Sequence, residues 1–290
     1  MEAGLVVNPV AGGRALRSIY KVEELLRKEV SLKTFVTRKR GDAESFAREL
    51  SGRDAIIVAG GDGTINEVIN GLLLSDNTEA SKIPSLAIIP WGTANVLANE
   101  LSIPGGTEDA VHLLLTGEPK KISLGRINGR FFSLMVGIGF DGETVLGVSS
   151  AIKRVTGKGA YILSGIMNLL RYNPSIINIK TDRHTISGTT AIIGNTHYYA
   201  GRFHVTSEAS IIEPFLDLCL FTGRRRKDML RYVFGVIRER HLKYKDVHYE
   251  KCSHLEISSA GTVYIQVDGD YFGTLPVKID VVSDALNIIC

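Results

Sequence analysis

A chain of 290 residues, 44% hydrophobic and 22% charged, has ordinary globular composition and is long enough for one large domain or two of moderate size. No apolar run approaches the roughly 20 residues of a membrane span, and Met1-Glu-Ala-Gly-Leu-Val-Val enters a strand without the regions of a signal peptide. Cys219, Cys252 and Cys290 are odd in number and widely spaced, which excludes a disulfide framework and a cysteine zinc spacing and fits a reducing, cytoplasmic setting.

In chain order, residues 4–8 read as a first strand, followed by Pro9-Val-Ala-Gly-Gly-Arg14 and an amphipathic helix from Leu16 to Lys28. A second strand at 32–37 precedes a helix from Ala43 to Leu50, for which Asp42 is the expected N-cap. Ala55-Ile-Ile-Val-Ala is a short apolar run of buried-strand type, and Gly60-Gly-Asp-Gly-Thr64 carries it into a helix with Ile65, Val68, Ile69 and Leu72 on one face. Ser85–Pro90 gives a fourth strand, Trp91–Asn95 leads to a helix ending near Leu101, and Asp109–Leu115 is one more helix. Strands and helices alternate four times, which predicts a parallel sheet covered on both faces.

The rhythm changes after Gly117-Glu-Pro119. Ile122–Ile127, Asn128-Gly129 and Arg130–Val136 read as a hairpin. A helical insert is expected at Gly159–Leu170. Short strands are expected at 176–181, 188–194, 216–221, 255–258, 262–267 and 277–282, with one amphipathic helix from Lys227 to about Arg240. The expected organisation is therefore α/β at residues 1–120 followed by a β-rich, sandwich-like or barrel-like domain at 121–290.

Net charge is +3 and unevenly placed. No acidic residue occurs from Thr144 through Thr181, which holds Lys153, Arg154, Lys158, Arg171 and Lys180. Arg224–Lys251 holds ten Lys or Arg against four Asp or Glu. Two readings carry equal weight: solvated helix faces, or a surface that meets anionic lipid headgroups at about 1 kcal/mol per basic residue. Nucleic acid is disfavoured, because basic and aromatic residues do not interleave in a recognisable module.

Ligands of open parallel sheets sit beyond the carboxyl ends of the strands. Asn8–Gly13, Thr37, Gly60–Thr64 and Gly92-Thr93 all fall there. A glycine loop entering a helix N-terminus is an anion cradle. Asp62 within that loop makes sense if a divalent cation bridges its carboxylate to a polyphosphate. A bare Gly-Gly turn would be an ordinary strand-to-helix turn, but Asp62 with Asn66-Glu67 shifts the reading to a nucleotide site. No Gly-Lys-Ser/Thr occurs, so the geometry is not that of a P-loop.

Gly137-Ile-Gly-Phe-Asp-Gly142 matches G-x-G-x-x-G but lacks the βαβ context and a following ribose-binding acid. Asp141 reads equally as a functional carboxylate or a buried turn cap. Asp268-Gly-Asp270 reads first as a hairpin turn, and as function Asp270 offers a base for an attacking hydroxyl. None of the seven histidines has ligand spacing along the chain; His197 and His204 read as structural or surface residues, and no Ser-His-Asp triad can be argued.

Taken together and in order, Asn8-Pro9 with Gly12-Gly13, Gly60-Gly-Asp-Gly-Thr-Ile-Asn-Glu-Val-Ile-Asn-Gly71 and Ile89-Pro-Trp-Gly-Thr-Ala-Asn95 resemble the soluble diacylglycerol kinase and lipid kinase family, which includes sphingosine and ceramide kinases. Weaker matches are Gly137–Asp141, Gly194-Asn195 through Tyr199-Ala-Gly201, and Asp268-Gly-Asp270. The resemblance implies an α/β domain like that of NAD kinases and 6-phosphofructokinases, then a β-sandwich-like lipid domain, with ATP in the cleft between them. It implies nucleotide contacts from Asn8, Pro9, Val10, Ala11, Gly12, Thr37, Gly61, Asp62, Gly63, Thr64, Ile65, Asn66, Glu67 and Thr93, with Asp62 close to the phosphates and Mg2+.

Asp270 stands where the family's general base is normally a glutamate. A second, structural Mg2+ would fall to Ser210, Glu213 and Phe215, although Glu213-Pro-Phe-Leu-Asp217 replaces the family's Asp-Gly-Leu-Leu-Asp, and Asn95-Val96 replaces its frequent Asn-Asp. The implied activity is phosphoryl transfer from ATP to a hydroxyl of a diacylglycerol-like or sphingoid lipid, by a cytoplasmic, peripherally membrane-associated enzyme, with homo-oligomerisation left open. The rivals are an NAD kinase-like enzyme and a non-catalytic nucleotide or lipid sensor.

Overall fold

The computed structural model describes residues 1–13, 16–74, 83–144, 174–199 and 203–290. The expected helix at Gly159–Leu170 and most of the acid-free basic segment lie outside them. The chain forms two compact units, Met1–Leu124 with Ser283–Cys290, and Gly125–Val282.

In the first unit β1 (Glu2–Val7), β2 (Ser31–Val36), β3 (Ala55–Gly60) and β4 (Ser85–Pro90) form a parallel sheet in the order β2-β1-β3-β4. The registers Val7↔Val36, Val7↔Ala59 and Gly60↔Pro90 bring all four carboxyl ends to one edge. β1 and β3 are wholly buried beyond Glu2, as strands covered on both faces must be. α1 (Leu16–Leu26) and α5 (Thr107–Thr116) supply Ile19, Val22, Leu26, Ala110, Val111 and Leu114 to the core against Leu5, Val7, Ile57, Ala59, Ala87 and Ile89. α2 (Asp42–Glu49), α3 (Asp62–Leu73) and the short α4 (Val96–Glu100) complete the layer structure.

Asp42 is not the N-cap of α2. Gly41 holds that position at φ 87°, and the Asp42 carboxylate instead accepts the amides of Arg38 and Lys39.

In the second unit the expected hairpin forms from the end of β5 (Pro119–Ile127) and β6 (Arg130–Phe132), with Asn128 and Gly129 both at positive φ. The expected run through Val136 breaks after Phe132, and β7 (Met135–Ile138) pairs elsewhere. Next come β8 (Ile177–Thr181), β9 (Thr185–Gly188), β10 (Thr190–Gly194), the short pair β11 (Tyr198–Tyr199) and β12 (Phe203–His204), and β13 (Leu216–Phe221). After α6 (Arg226–Ile237) the chain adds β14 (Val247–Cys252), β15 (His254–Ser259), β16 (Tyr264–Val267), β17 (Asp270–Thr274) and β18 (Val277–Ile289).

One antiparallel sheet runs β14-β13-β10-β7-β16-β17. A second layer runs from the start of β18 through β15 and β8 to β9. Alternate residues of both layers, among them Val136, Ile138, Ile193, Leu218 and Ile265 from one and Ile177, Ile179, Leu255, Ile257 and Ile279 from the other, share one core. That is a β-sandwich. The end of β18 belongs to the first unit, where Ile288 pairs in parallel with Leu86.

Candidate active site

In the order β2-β1-β3-β4 the chain leaves β1 toward one side and returns as β3 on the other, so the crevice between β1 and β3 is a topological switch point. Asn8 stands at it. Its amide donates to Ala59 O (2.9 Å), its Nδ2 to Thr64 Oγ1 (2.9 Å), and its Oδ1 accepts the amide of Val10 (3.2 Å). These bonds tie the loop after β1 to the first turn of α3 and turn the chain through Pro9 and the highly exposed Val10 into a single 3-10 turn at Ala11–Gly13.

Gly12 there has φ 60°, and a Cβ on it would come 2.2 Å from Trp91 O. Gly61 and Gly92 meet backbone to backbone, so that a Cβ on Gly61 would lie 2.9 Å from Gly92 Cα. The loops after β1, β3 and β4 therefore close on each other through bare backbone. At Gly12, Gly61 and Gly92 this packing leaves no room for a Cβ.

Asp62 opens α3, with Gly61 as N-cap. Its Oδ1 accepts the amide of Leu97 (3.1 Å), so the carboxylate faces the N-terminus of α4. Burial raises its pKa, against the amides of Leu97, Val96 and Asn95, which lower it. Thr64 and Thr37 are buried, while Gly63 and Thr93 are exposed.

Three residues of the expected nucleotide set do scaffold work. Ile65 is fully buried and its amide bonds Gly61 O (3.1 Å). Glu67 accepts the amides of Gly41 (3.0 Å) and Ala43 (3.2 Å), so it caps α2, the position Asp42 was expected to fill. Asn66 receives the Nδ2 of Asn70 on its Oδ1 (3.1 Å) and its carbonyl (2.9 Å). Asn95, read only as a loop residue, sits at φ 48° and ties its Nδ2 to Gly92 O (3.0 Å), fixing the loop after β4.

In the second unit Asp268 and Gly269, at φ 49° and 86°, form the two-residue turn between β16 and β17, with Val267 opposite Asp270. Asp270 is the exposed first residue of β17. The Asp268 carboxylate accepts the amides of Ser133, Leu134 and Met135 (2.9 Å each) and Ser133 Oγ (3.2 Å), which is why the run from Arg130 breaks where it does.

Gln266, which sequence reasoning missed, fixes the turn from beneath. Its Oε1 accepts the Gly269 amide (2.8 Å) and its Nε2 donates to Asp141 Oδ2 (2.6 Å). Tyr199 Oη donates to the other Asp141 oxygen. Burial raises the pKa of Asp141, and burial together with the Asp141 charge raises that of Tyr199. Asp141 is thus a buried carboxylate held by side chains distant in sequence. The only sign of Gln266 in the sequence is a lone amide between two core-facing residues, Ile265 and Val267, on the opposite face of the strand.

At the remaining expected positions, Ser210, Glu213 and Phe215, the one carboxylate already has a partner. Glu213 pairs with the ammonium of Lys251, and the Ser210 carbonyl accepts the Glu213 amide (2.9 Å). Phe215 is exposed. The chain's own cation takes the carboxylate on which the structural Mg2+ would depend.

The two units have counterparts among known proteins. The diacylglycerol kinase catalytic domain family matches residues 2–127, and the YegS C-terminal NAD kinase beta sandwich-like domain family matches residues 134–290. A diacylglycerol kinase of Bacillus subtilis (strain 168) is 30% identical over 288 residues, covering 95% of this chain and 91% of that one. The chain belongs to the diacylglycerol kinase family. Within it, a diacylglycerol kinase of Staphylococcus carnosus (strain TM300) is 28% identical over 281 residues, covering 95% of this chain and 90% of the relative. A crystal structure described as a diacylglycerol kinase from Bacillus anthracis (strain Sterne) superposes with a TM-score of 0.75 at 22% identity, covering 99% and 96% of the two chains, and so shares the fold. Family and fold agree on a catalytic α/β domain followed by a β-sandwich-like domain, and membership makes the protein a kinase.

Proposed function

We propose that this kinase transfers the γ-phosphoryl group of ATP to a lipid hydroxyl at an anionic membrane surface. The single observation that carries the reading is the cradle at the β1/β3 switch point, where three loops meet backbone to backbone beside the N-terminus of α3. Asn8–Gly12, Thr37, Gly61–Thr64 and Thr93 hold the nucleotide in this reading.

Asp62 fits Mg2+: its carboxylate is half-buried, with raised pKa, and has no basic partner among the described residues. Bound there, Mg2+ would neutralise charge on the phosphates. The chain's own part is to hold Asp62 against the α4 amides, aim backbone N–H groups at the phosphates, and exclude side chains from the cradle. Asp270 orients or deprotonates the acceptor hydroxyl from a turn fixed by Asp268 and Gln266. Its single methylene gives a short reach, and exposure lets the carboxylate meet an incoming headgroup.

Support for the lipid surface comes from α6. Met229, Tyr232 and Gly235 are buried, yet Leu230 (44% exposed), Val233 (41%), Phe234 (54%) and Ile237 (53%) form an outward apolar stripe at spacings of three and four. Exposed Arg224, Arg225, Arg226, Lys227, Arg231 and Arg238 flank it. Apolar side chains rimmed by cations match an anionic bilayer interface.

The test is label transfer from [γ-32P]ATP to a total lipid extract or to NAD. A labelled, organic-soluble product supports the proposal. Label confined to the dinucleotide, or ATP binding without turnover on either, overturns it.

A further inference from the structure

We propose that the second unit carries a zinc-class metal site formed by His184, His248 and Glu250. These residues have no ligand spacing along the chain, but the fold brings them together: one ligand atom from each lies within 4.8 Å of the others. His248 and Glu250 are two apart on β14, hence on one face, opposite Leu220 and Leu218 of β13. His184 sits in the turn joining β8 to β9. That turn is fixed by the Thr181 amide donating to His184 O (2.9 Å) and by Thr181 Oγ1 accepting the amides of Arg183 and His184 (3.3 Å each).

The distances fit a shared metal ion as well as they fit an ion-paired cluster, and the unpartnered atoms favour the ion. His248 Nε2 lies 3.3 Å from Glu250 Oε1, and His184 Nε2 lies 3.5 Å from the same oxygen. Ligands about 2.05 Å from a tetrahedral Zn2+ stand about 3.3 Å apart, so both separations match edges of such a tetrahedron. His248 Nε2 and Glu250 Oε1 are nevertheless buried atoms without a hydrogen-bond partner, because their approach lacks hydrogen-bond geometry. Two unsatisfied buried atoms converging on one point cost free energy that a shared cation would recover. The Glu250 side chain is only 8% exposed, while the two imidazoles reach solvent and leave an entry path.

Two imidazoles and one carboxylate form a donor set suited to Zn2+, with a fourth position for water. β9 and β14 are edge strands of the two different layers of the sandwich. A metal here would join those open edges, where no backbone ladder does so. Asp182 in the same turn already binds the amides of Ser253 (2.7 Å) and His254 (3.2 Å), so the turn is anchored independently.

The experiment is titration of the metal-free full chain with Zn2+ against a chromophoric chelator, with Co2+ as a spectroscopic probe. The expected result is one Zn2+ per chain, visible Co2+ bands of low-coordinate type, and a thermal midpoint raised by Zn2+. His184→Ala, on an exposed turn, and Glu250→Gln, which keeps the buried shape, should each weaken binding at least 10-fold. A His197→Ala/His204→Ala double variant should bind as the wild type does. Absence of binding at micromolar Zn2+, or binding undiminished by His184→Ala and Glu250→Gln, overturns the site.

Discussion

The two units each place an aspartate in a glycine turn, and the two carboxylates meet opposite fates. Asp62 lies half-buried in the first unit and accepts the Leu97 amide, with no cation beside it among the described residues. Asp268 in the second unit accepts three amides and a hydroxyl, which use all its strong acceptor directions. Identical chemistry in similar local sequence thus gives a charge available to a ligand in one unit and a structural rivet in the other. What separates them is the set of close hydrogen bonds, one to Asp62 from Leu97 and four to Asp268, while Val96 and Asn95 act on Asp62 more weakly.

That difference can be broken experimentally. Asp268→Asn should be the most destabilising change, because an amide NH2 would face donors that now meet a charged oxygen. We expect a loss of about 3 kcal/mol in denaturant unfolding. A loss under about 0.5 kcal/mol would remove the rivet from the account.

Asp217 sharpens the contrast through pH. Burial pushes its pKa from 3.8 up to about 6, with Tyr249 Oη donating to it (3.0 Å) and Lys251 pulling the other way. The native state therefore holds a proton between about pH 4 and 6 that the unfolded state has released. The stability this confers is complete below pH 4, falls as pH rises through 6, and is gone above it. Asp217→Asn should flatten that fall, gaining on the wild type as pH rises, by an amount on the order of 2 kcal/mol above pH 6. Parallel melting curves for both proteins from pH 4 to 7 would contradict this.

The smallest expected effect is at the surface. Phe234→Ser on the exposed face of α6 should lower binding to anionic vesicles several-fold, with little change in thermal midpoint and with salt weakening both proteins. Unchanged vesicle binding would leave the stripe without its proposed role.

The first unit was largely legible because its signals are local. Buried strands read as apolar runs, and glycines at strand ends mark where loops must approach one another. Asp42 misled, since Glu67 reaches across from α3 to cap the helix it was expected to start. The second unit hid more. The break after Phe132 is set by Asp268, far along the chain, and the support of its turn comes from Gln266 and Asp141. β14 escaped because it lacks alternation: Val247–Lys251 is half-buried throughout and reads as part of a basic segment. The return of Ser283–Cys290 to the first unit has no local signal either. Side-chain contacts across long sequence separation fix all of these.

The central claim rests on Asp62 as a ligand-facing charge, and the most direct measurement is ATP-dependent lipid phosphorylation by Asp62→Asn. The asparagine keeps an oxygen for the Leu97 amide, so the thermal midpoint should move little. Turnover should fall on the order of 100-fold, the scale of losing one preorganised electrostatic contact to the reacting phosphates. Turnover within twofold of the wild type would contradict the account.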